Sequence, residues 1–501
     1  MARRFPHAAL CVSELLVNLI ERIDHWAADA PERIAHLSGD RTLTYEELRR
    51  SSDGLASYLT QRFGNDRRPI AVLGHREPEM LIAFLGAVKS GRPYVPMETT
   101  LPQTRIDQIV ASSNATFVLT PDQMSQFSAS ELRGPTMPVE NNDPFYILFT
   151  SGSTGAPKGV IITLGCLEHF INWMLAEQEF SERGEVFLNQ PPFSFDVSVM
   201  GLYGSLATGG TLFSISPDLI ENPKQLYSAL ANSGATTWVS TPSFAQMCLV
   251  EDKFAEAMLP RLRRFLLCGE TLAPQTAAQL LERFPQTRVW NMYGPTEATV
   301  ATTSIQVDAA ILEKYSPLPV GRVMPGTKVF IVDENGAELS VNERGEIVIA
   351  GPNVSPGYVG RPDLTARAFF DYRGLRAYKT GDLGHLHDSL LFFEGRIDQQ
   401  IKLSGYRIEL GDVEANLRAL PTVRDAVVIP VIKSGTAQSL TAFVSLAARN
   451  ETSDFKLAHN LRSQLGERLP AYMLPRKFVF LDAFPMTANG KLDRAALAKS
   501  L

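Results

Sequence analysis

The sequence predicts an α/β protein: a large N-terminal domain of parallel-type βαβ sheets carrying a small β-barrel, followed by a small α+β C-terminal domain. Three observations carry this reading. Short apolar runs alternate with longer helical patterns as far as Met292, the rhythm of a largely parallel sheet. Near residue 315 that rhythm gives way to runs at 329–333 and 345–351 separated by turn residues, as in hairpins or a small barrel. A further break at Gly395-Arg-Ile-Asp398 precedes alternating strands and two helices, 411–420 and 456–469. The domains are therefore expected at 1–397, with the barrel-like part at about 315–395, and at 398–501.

Taken in order, the first strand is expected at 69–74, an amphipathic helix at 77–90, an extended run at 92–97, a helix at 104–113 and a strand at 115–120. The pattern resumes with strand 210–216, helix 223–232, strands 235–240 and 262–268, helix 274–284 and strand 287–292. Pro274 suits a first helical turn, where its missing N–H is no loss. The N-terminal apolar segment is interrupted at helical intervals by Ser13, Glu14, Asn18, Glu21 and Arg22, so it reads as an amphipathic helix and not a secretory signal.

At 501 residues the chain is too long for one ordinary core. Its 45% hydrophobic and 20% charged composition is that of a soluble globular protein, and a net charge of −6 gives no sign of a global nucleic-acid surface. No apolar run reaches the roughly eighteen residues of a transmembrane helix. Cys11, Cys166, Cys248 and Cys268 are scattered without CxxC spacing, which argues against disulfides or zinc and for a cytoplasmic location. No long exposed apolar seam is evident, so a monomer is expected.

The most informative stretch is FTSGSTGAPKGV at 149–160. Glycines let backbone N–H groups close on an anion, hydroxyls donate, and Lys158 adds charge, so the stretch reads as a phosphate-binding loop. Gly159 follows the lysine, which separates it from the GxxxxGK[ST] loop. The apolar run 144–149 reads as a buried strand feeding the loop. NMYGPTE at 291–297 follows another apolar run and offers a ring, an amide, a hydroxyl and a hard carboxylate at a strand's C-terminal end, where α/β sheets bind ligands. A helix-capping turn would look the same. YKTGD at 378–382 places a carboxylate suited to ribose hydroxyls, although a turn aspartate is the commoner role. PMTANGKLDR at 485–494 presents Lys491 beside the hairpin signal Asn489-Gly490.

Together and in this order, FTSGSTGAPKG, NMYGPTEAT, GEIVIAGPNVSPGY, YKTGDLG, GRIDQQIKLSGYRIE and NGKLDR resemble the adenylate-forming superfamily of acyl- and aminoacyl-activating enzymes over the entire chain. Asp196, within NQPPFSFDVSVM, stands where amino-acid-activating members hold the substrate ammonium. A buried carboxylate needs such a cation, although a helix cap is the ordinary alternative. The stretches STPSFAQMC, FLLCGE and GPTEATVA are similar to the D-alanine:D-alanyl carrier protein ligase branch, in which a cysteine at the position of Cys268 lines the methyl pocket. Met200, Leu266, Met292 and Val300 would close the same pocket and leave room only for a small amino acid.

The resemblance implies ATP and Mg²⁺, an aminoacyl-adenylate intermediate, and transfer to a separate phosphopantetheinylated carrier protein. In that branch the product serves D-alanylation of teichoic acids or related cell-surface polymers. Lys491 would touch carboxylate and α-phosphate. Thr150, Ser151, Gly152, Ser153, Thr154 and Lys158 would hold the β- and γ-phosphates, with Thr296 on the α-phosphate and Glu297 on Mg²⁺. Asn291, Met292, Tyr293, Gly294 and Pro295 would surround adenine, while Asp382 and Arg396, with Phe393, Glu394 and Gly395, would hold the ribose side. The C-terminal domain would be mobile, swinging about Asp398 so that Lys491 leaves and the loop at Ser404-Gly405-Tyr406 lines a pantetheine tunnel. After NGKLDR only residues 495–501 follow, too few for a carrier domain. Two departures from the branch are a shortened segment between Thr120 and Asp143 and an extra lead over residues 1–12. A stand-alone enzyme loading L-Ala, Gly, Ser or Pro in natural-product assembly stays open, as pocket residues do not decide chirality. Asp196 disfavours an acyl-CoA synthetase, and the joint presence of Lys158, Glu297, Asp382, Arg396 and Lys491 disfavours a catalytically dead scaffold.

Overall fold

The computed structural model describes residues 18–126, 137–152, 156–180, 184–398, 400–403, 405–433, 436–447, 453–486 and 492–501. The initial helix begins at Leu19, where the Asn18 side chain caps the backbone N–H of Glu21. The expected helical positions Ser13 and Glu14 lie outside the described residues.

Two large sheets dominate. One has nine described strands in the order Arg322–Val323, Thr303–Val307, Arg288–Tyr293, Arg264–Leu267, Thr237–Ser240, Val186–Asn189, Thr211–Ser214, Ile34–Ser38 and Arg41–Thr44. It is parallel from Arg288–Tyr293 through Ile34–Ser38, with antiparallel strands at both ends. The other has six described strands, and its core of Phe117–Leu119, Ile70–Gly74, Tyr94–Glu98 and Pro144–Thr150 is parallel. The expected elements are thus present, with ends moved by a few residues.

One expectation is corrected. The segment predicted as an amphipathic helix forms Pro78–Lys89, but only Glu79 on it escapes full burial. MLIAFLGAV is apolar all round, and such a helix belongs inside a core. Its terminal Lys89 is also buried, with Asp24 and Asp53 as ion-pair partners 2.6 and 2.7 Å away.

Near residue 315 the chain switches to an antiparallel sheet of five described strands, including Lys328–Val332, Gly345–Ala350 and Leu375–His387. Beyond Asp398 a further sheet forms from Tyr406–Glu409, Gln400–Leu403, Thr436–Leu446, Val423–Lys433 and Lys477–Phe480. Helices Leu410–Arg418 and Asp454–Gly466 pack on one face through Val413, Leu417, Leu461 and Leu465 against Val428 and Leu440. The alternate strand residues Val427, Ile429 and Phe443 point to the opposite face, where they meet Leu492 and Leu497.

Candidate active site

Three neighbouring parallel strands, Thr237–Ser240, Arg264–Leu267 and Arg288–Tyr293, end together and deliver Thr241, Cys268 and the segment 294–300 to one edge. Ligands bind at this edge of an α/β sheet because the strands' C-terminal ends leave a crevice there. After the short turn Thr296–Ala298, Thr299 and Val300 both adopt left-handed backbone, with φ of 56° and 68°. Such conformations strain a β-branched residue by roughly 1–3 kcal/mol. The buried Asn353 offsets this. Its carbonyl accepts from the Thr299 hydroxyl at 2.7 Å, and its side-chain amide donates to the Ala298 carbonyl at 2.9 Å and to the Thr302 hydroxyl at 3.0 Å.

Asp196 is buried, and the Thr296 hydroxyl donates to its Oδ2 at 2.6 Å. No cation pairs with it among the described residues, and burial pushes its pKa up. It lines a cavity of about 30 Å³ together with Cys268, Val300, Thr296 and Asp382. The Cys268 thiol is also raised by burial, to about 12, so it is a neutral wall and not a nucleophile. Met200 and Leu266 are fully buried in the same core but do not line that cavity, while Met292 lines the nucleoside side instead.

The loop at 151–157 joins antiparallel strands Pro144–Thr150 and Lys158–Thr163, with Thr150 paired to Lys158. The lysine is therefore fixed at the start of a strand, across from the incoming one. A Cβ on Gly152 would stand 2.1 Å from the Ala156 carbonyl oxygen, so this tight closure requires glycine. Lys158 Nζ lies 3.4 Å from Glu297 Oε1 and above the Tyr358 ring. Glu297 is completely buried; Tyr358 donates to Oε1 at 2.8 Å and Arg407 to Oε2 at 2.7 Å. Burial alone would raise this carboxyl, but Arg407 and Lys158 outweigh it and hold Glu297 well below the usual carboxylate range. Burial in turn lowers Lys158. The Thr150 hydroxyl is buried and has no hydrogen-bond partner among the described residues.

On the nucleoside side, a cavity of about 40 Å³ is lined by Asn291, Met292, Tyr293, Phe393 and Lys402. The Tyr293 hydroxyl donates to Asp382 Oδ2 at 2.6 Å, and Arg396 pairs with the other carboxylate oxygen. Asn291 donates to the Pro319 carbonyl at 2.8 Å. Gly294 and Pro295 border the aminoacyl-side cavity. Glu394 turns away to His385 and Arg344, at 2.6 and 2.8 Å, and lines neither cavity. Gly395 has φ 119°, a backbone that only glycine adopts readily. Arg396 forks onto Asp398 with two bonds of 2.7 Å.

Residues beyond Asp398 close the site. Ser151 donates to the Arg407 carbonyl at 2.8 Å and accepts from the Glu409 N–H at 3.0 Å. Glu270 accepts from the backbone N–H groups of Gly405 and Ser243, at 2.6 and 3.0 Å. Gly405 has φ 86°, and a Cβ there would reach within 2.5 Å of Thr241. Tyr406 stacks on Tyr472 with ring centres 3.8 Å apart, and buried Arg105 pairs with buried Asp412 at 3.1 Å. A cavity of about 400 Å³ leads in between these parts, bordered by Arg76, Glu98, Phe195, Tyr406 and Tyr472, with Asp196 and Thr296 also on its wall.

Ser153, Thr154, Ser404 and Lys491 lie outside the described residues. The chain on either side of the segment bearing Lys491, at Met486 and Leu492, forms an antiparallel bridge, and Leu492 packs on the far face of the C-terminal sheet. Sequence reasoning assigned no role to Lys402, Arg407, Tyr358, Glu270 or the Arg105–Asp412 pair. Lys402 and Arg407 stood inside a motif already singled out. Arg105 and Asp412 had no local signal, since they sit on helices Gln103–Ser113 and Leu410–Arg418, which meet only in the tertiary structure.

Comparisons with known proteins agree with this geometry. Residues 23–359 match the AMP-binding enzyme family, and residues 412–491 match the AMP-binding enzyme C-terminal domain. The D-alanine--D-alanyl carrier protein ligase of Bacillus cereus (strain B4264) is 45% identical over 96% of this chain and 99% of its own length. The protein of the same name from Bacillus anthracis is also 45% identical, with the same coverage. Among solved structures, holo-PA1221, a nonribosomal peptide synthetase protein containing adenylation and PCP domains, superposes with a TM-score of 0.82 at 27% identity, over 97% of this chain and 84% of that one. The Vibrio cholerae adenylation domain AlmE shares the fold, with a TM-score of 0.83 at 21% identity over 100% of this chain and 99% of its own. With its two matched regions and its near full-length relatives, this chain belongs to the AMP-binding enzyme family and, within it, to the D-alanine--D-alanyl carrier protein ligases.

Proposed function

We propose that this protein uses ATP to activate D-alanine as D-alanyl-AMP, releasing pyrophosphate, and then transfers the D-alanyl group to the phosphopantetheine thiol of a separate carrier protein. In this reading the enzyme works in the cytoplasm as a monomer and supplies D-alanylation of teichoic acid or a related cell-surface polymer. The name shared by its near full-length relatives supports the substrate. The carrying structural observation is Asp196, a buried carboxylate with one hydroxyl partner and no cation among the described residues. A bound amino acid supplies the ammonium that this charge requires, and Cys268 and Val300 leave room beside it for a methyl group.

The substrate carboxylate is already ionised near neutral pH, so adenylation needs no general base. Catalysis is positioning and charge stabilisation. We assign Thr150, Ser151, Gly152, Ser153, Thr154 and Lys158 to the β- and γ-phosphates, Thr296 to the α-phosphate, and Lys491 to the α-phosphate and substrate carboxylate. Tyr293 and Asn291 face adenine, with Asp382 and Arg396 on the ribose. Glu297 suits Mg²⁺, which takes one or two carboxylates and completes its shell from phosphates and water. It is a fully buried oxygen donor held ionised, and no cluster of three His, Cys, Asp or Glu among the described residues offers another metal site. Bound there with ATP, the ion would neutralise phosphate charge. Arg407 occupies Glu297 Oε2 here, so this binding belongs to an arrangement with Arg407 withdrawn.

We place the boundary between an adenylation core, 1–397, and a C-terminal domain, 398–501, at Asp398, and read it as the hinge. The separate hydrophobic core beyond residue 400 supports this division. The present arrangement, with Gly405 and Arg407 docked, suits thioester formation, and the 400 Å³ cavity suits the pantetheine arm. ATP–pyrophosphate exchange with D-Ala, L-Ala, Gly, D-Ser, L-Ser and L-Pro tests the reading. Strong D-Ala preference is expected. Preference for another amino acid would overturn the substrate assignment and move the protein to natural-product assembly.

A further inference from the structure

We propose that Asn353 is a positioning residue for amino-acid selectivity: its side-chain amide fixes the turn that carries Val300 to the substrate's side chain. The inference rests on the reading of Val300 as a wall of the amino-acid pocket. Asn353 itself borders none of the three cavities described above. It follows strand Gly345–Ala350 of the small antiparallel sheet, whereas Val300 follows strand Arg288–Tyr293 of the large one. The contact between them therefore ties the small sheet to the pocket.

The segment 296–302 is held in two halves by different partners. The first half is tied to the charged groups of the site. Thr296 donates to Asp196, and the Glu297 carboxylate is gripped by Tyr358, Arg407 and Lys158. The Glu297 carbonyl also accepts from the Ser355 N–H at 2.9 Å. The second half holds Thr299 and Val300, the two residues with left-handed backbone. The Asn353 amide brackets them, donating to the Ala298 carbonyl before them and to the Thr302 hydroxyl after them. The Thr327 hydroxyl donates to Asn353 Oδ1 at 2.8 Å, so the acceptor end is taken and both N–H groups are left for the turn. Asn353 and Thr302 are completely buried, so water does not replace these bonds.

Two successive β-branched residues in a sparsely populated backbone persist only while their surroundings hold them. With the amide removed, the second half of the turn relaxes and Val300 shifts. The Cys268 thiol, which lies 3.9 Å from the Val300 carbonyl, then faces a wall that yields. A pocket rejects one extra methylene only if its walls stay in place. Thr296 and Glu297 keep their own partners, so nucleotide binding is spared.

The test uses the full chain as wild type, Asn353→Ala, Thr302→Val and Thr302→Ser. ATP–pyrophosphate exchange gives the KM for ATP, and kcat/KM for the amino acid that the wild type activates and for its homologue one methylene longer. Asn353→Ala should raise the homologue's kcat/KM relative to the shorter substrate by about tenfold, with the KM for ATP within about twofold. Thr302→Val keeps the shape but removes the amide's acceptor, and should shift the same ratio by about threefold. Thr302→Ser restores the acceptor and should return the wild-type ratio. An unshifted ratio in Thr302→Val, which decides the matter alone if Asn353→Ala does not fold, would overturn the assignment. So would a KM for ATP that rises in step with that for the amino acid. Absence of exchange in the wild type with every amino acid tried would overturn the functional reading and this inference with it, whereas intact exchange with an unshifted ratio overturns the inference alone.

Discussion

The amino-acid side of the site and its phosphate side are built differently. Asp196, Cys268 and Val300 all come from segments at the edge of one parallel sheet, and a fully buried asparagine braces the strained turn that closes them. The phosphate side draws Ser151, Glu297, Tyr358 and Arg407 from four distant parts of the chain, the last from beyond Asp398. A wall carried by one rigid sheet suits the choice of substrate. A wall that borrows a strand from a separately packed unit suits a change of state, because it can be assembled or dismantled as a unit. The two carboxylates carry the same contrast: burial drives the pKa of Asp196 up, while two cations hold that of Glu297 down.

The sharpest way to break the amino-acid side is Asp196→Ala. Leaving a substrate ammonium unpaired in a buried site costs about 3–5 kcal/mol, so kcat/KM for the amino acid should fall by roughly 10²–10⁴-fold in pyrophosphate exchange, with the KM for ATP unchanged. On the borrowed side, Arg105→Ala removes the partner of buried Asp412 and should disfavour docking. Thioester transfer should drop about tenfold while exchange holds. Equal loss of both would show that the two sides are not separable.

Cys268→Ala enlarges the rigid wall by a small volume. It should raise the kcat/KM of D-2-aminobutyrate relative to D-alanine by about tenfold, the range expected for one methylene in a pocket. The smallest effect concerns pH. Asp196 must be ionised to hold the ammonium, and its pKa is raised, so KM for the amino acid should climb on acidification sooner than an ordinary carboxylate would allow. In the docked arrangement, with Arg407 and Lys158 against it, Glu297 is held low and stays ionised through the same range, so transfer from purified adenylate should lose nothing there through Glu297. A KM for the amino acid that stays flat on acidification would contradict the raised Asp196.

Hydrophobic periodicity and motif order by themselves determined the α/β class, the switch to antiparallel strands near residue 315 and the elements beyond Asp398, because they report local backbone preference and which faces seek burial. Motif chemistry marked Lys158, Glu297 and Asp382, and the family resemblance marked Asp196. Periodicity misjudged the helix Pro78–Lys89, since its burial on every face depends on what lies around it. Only the tertiary structure decided the partners: that Ser151 clamps the strand bearing Arg407, that Thr296 donates to Asp196, and that Lys402 reaches the junction of two cavities. Those contacts join residues about a hundred or more positions apart. The contacts of Ser151 and Lys402 exist only once separately packed sheets dock, and that of Thr296 only once one sheet brings distant strands together; no local pattern encodes either.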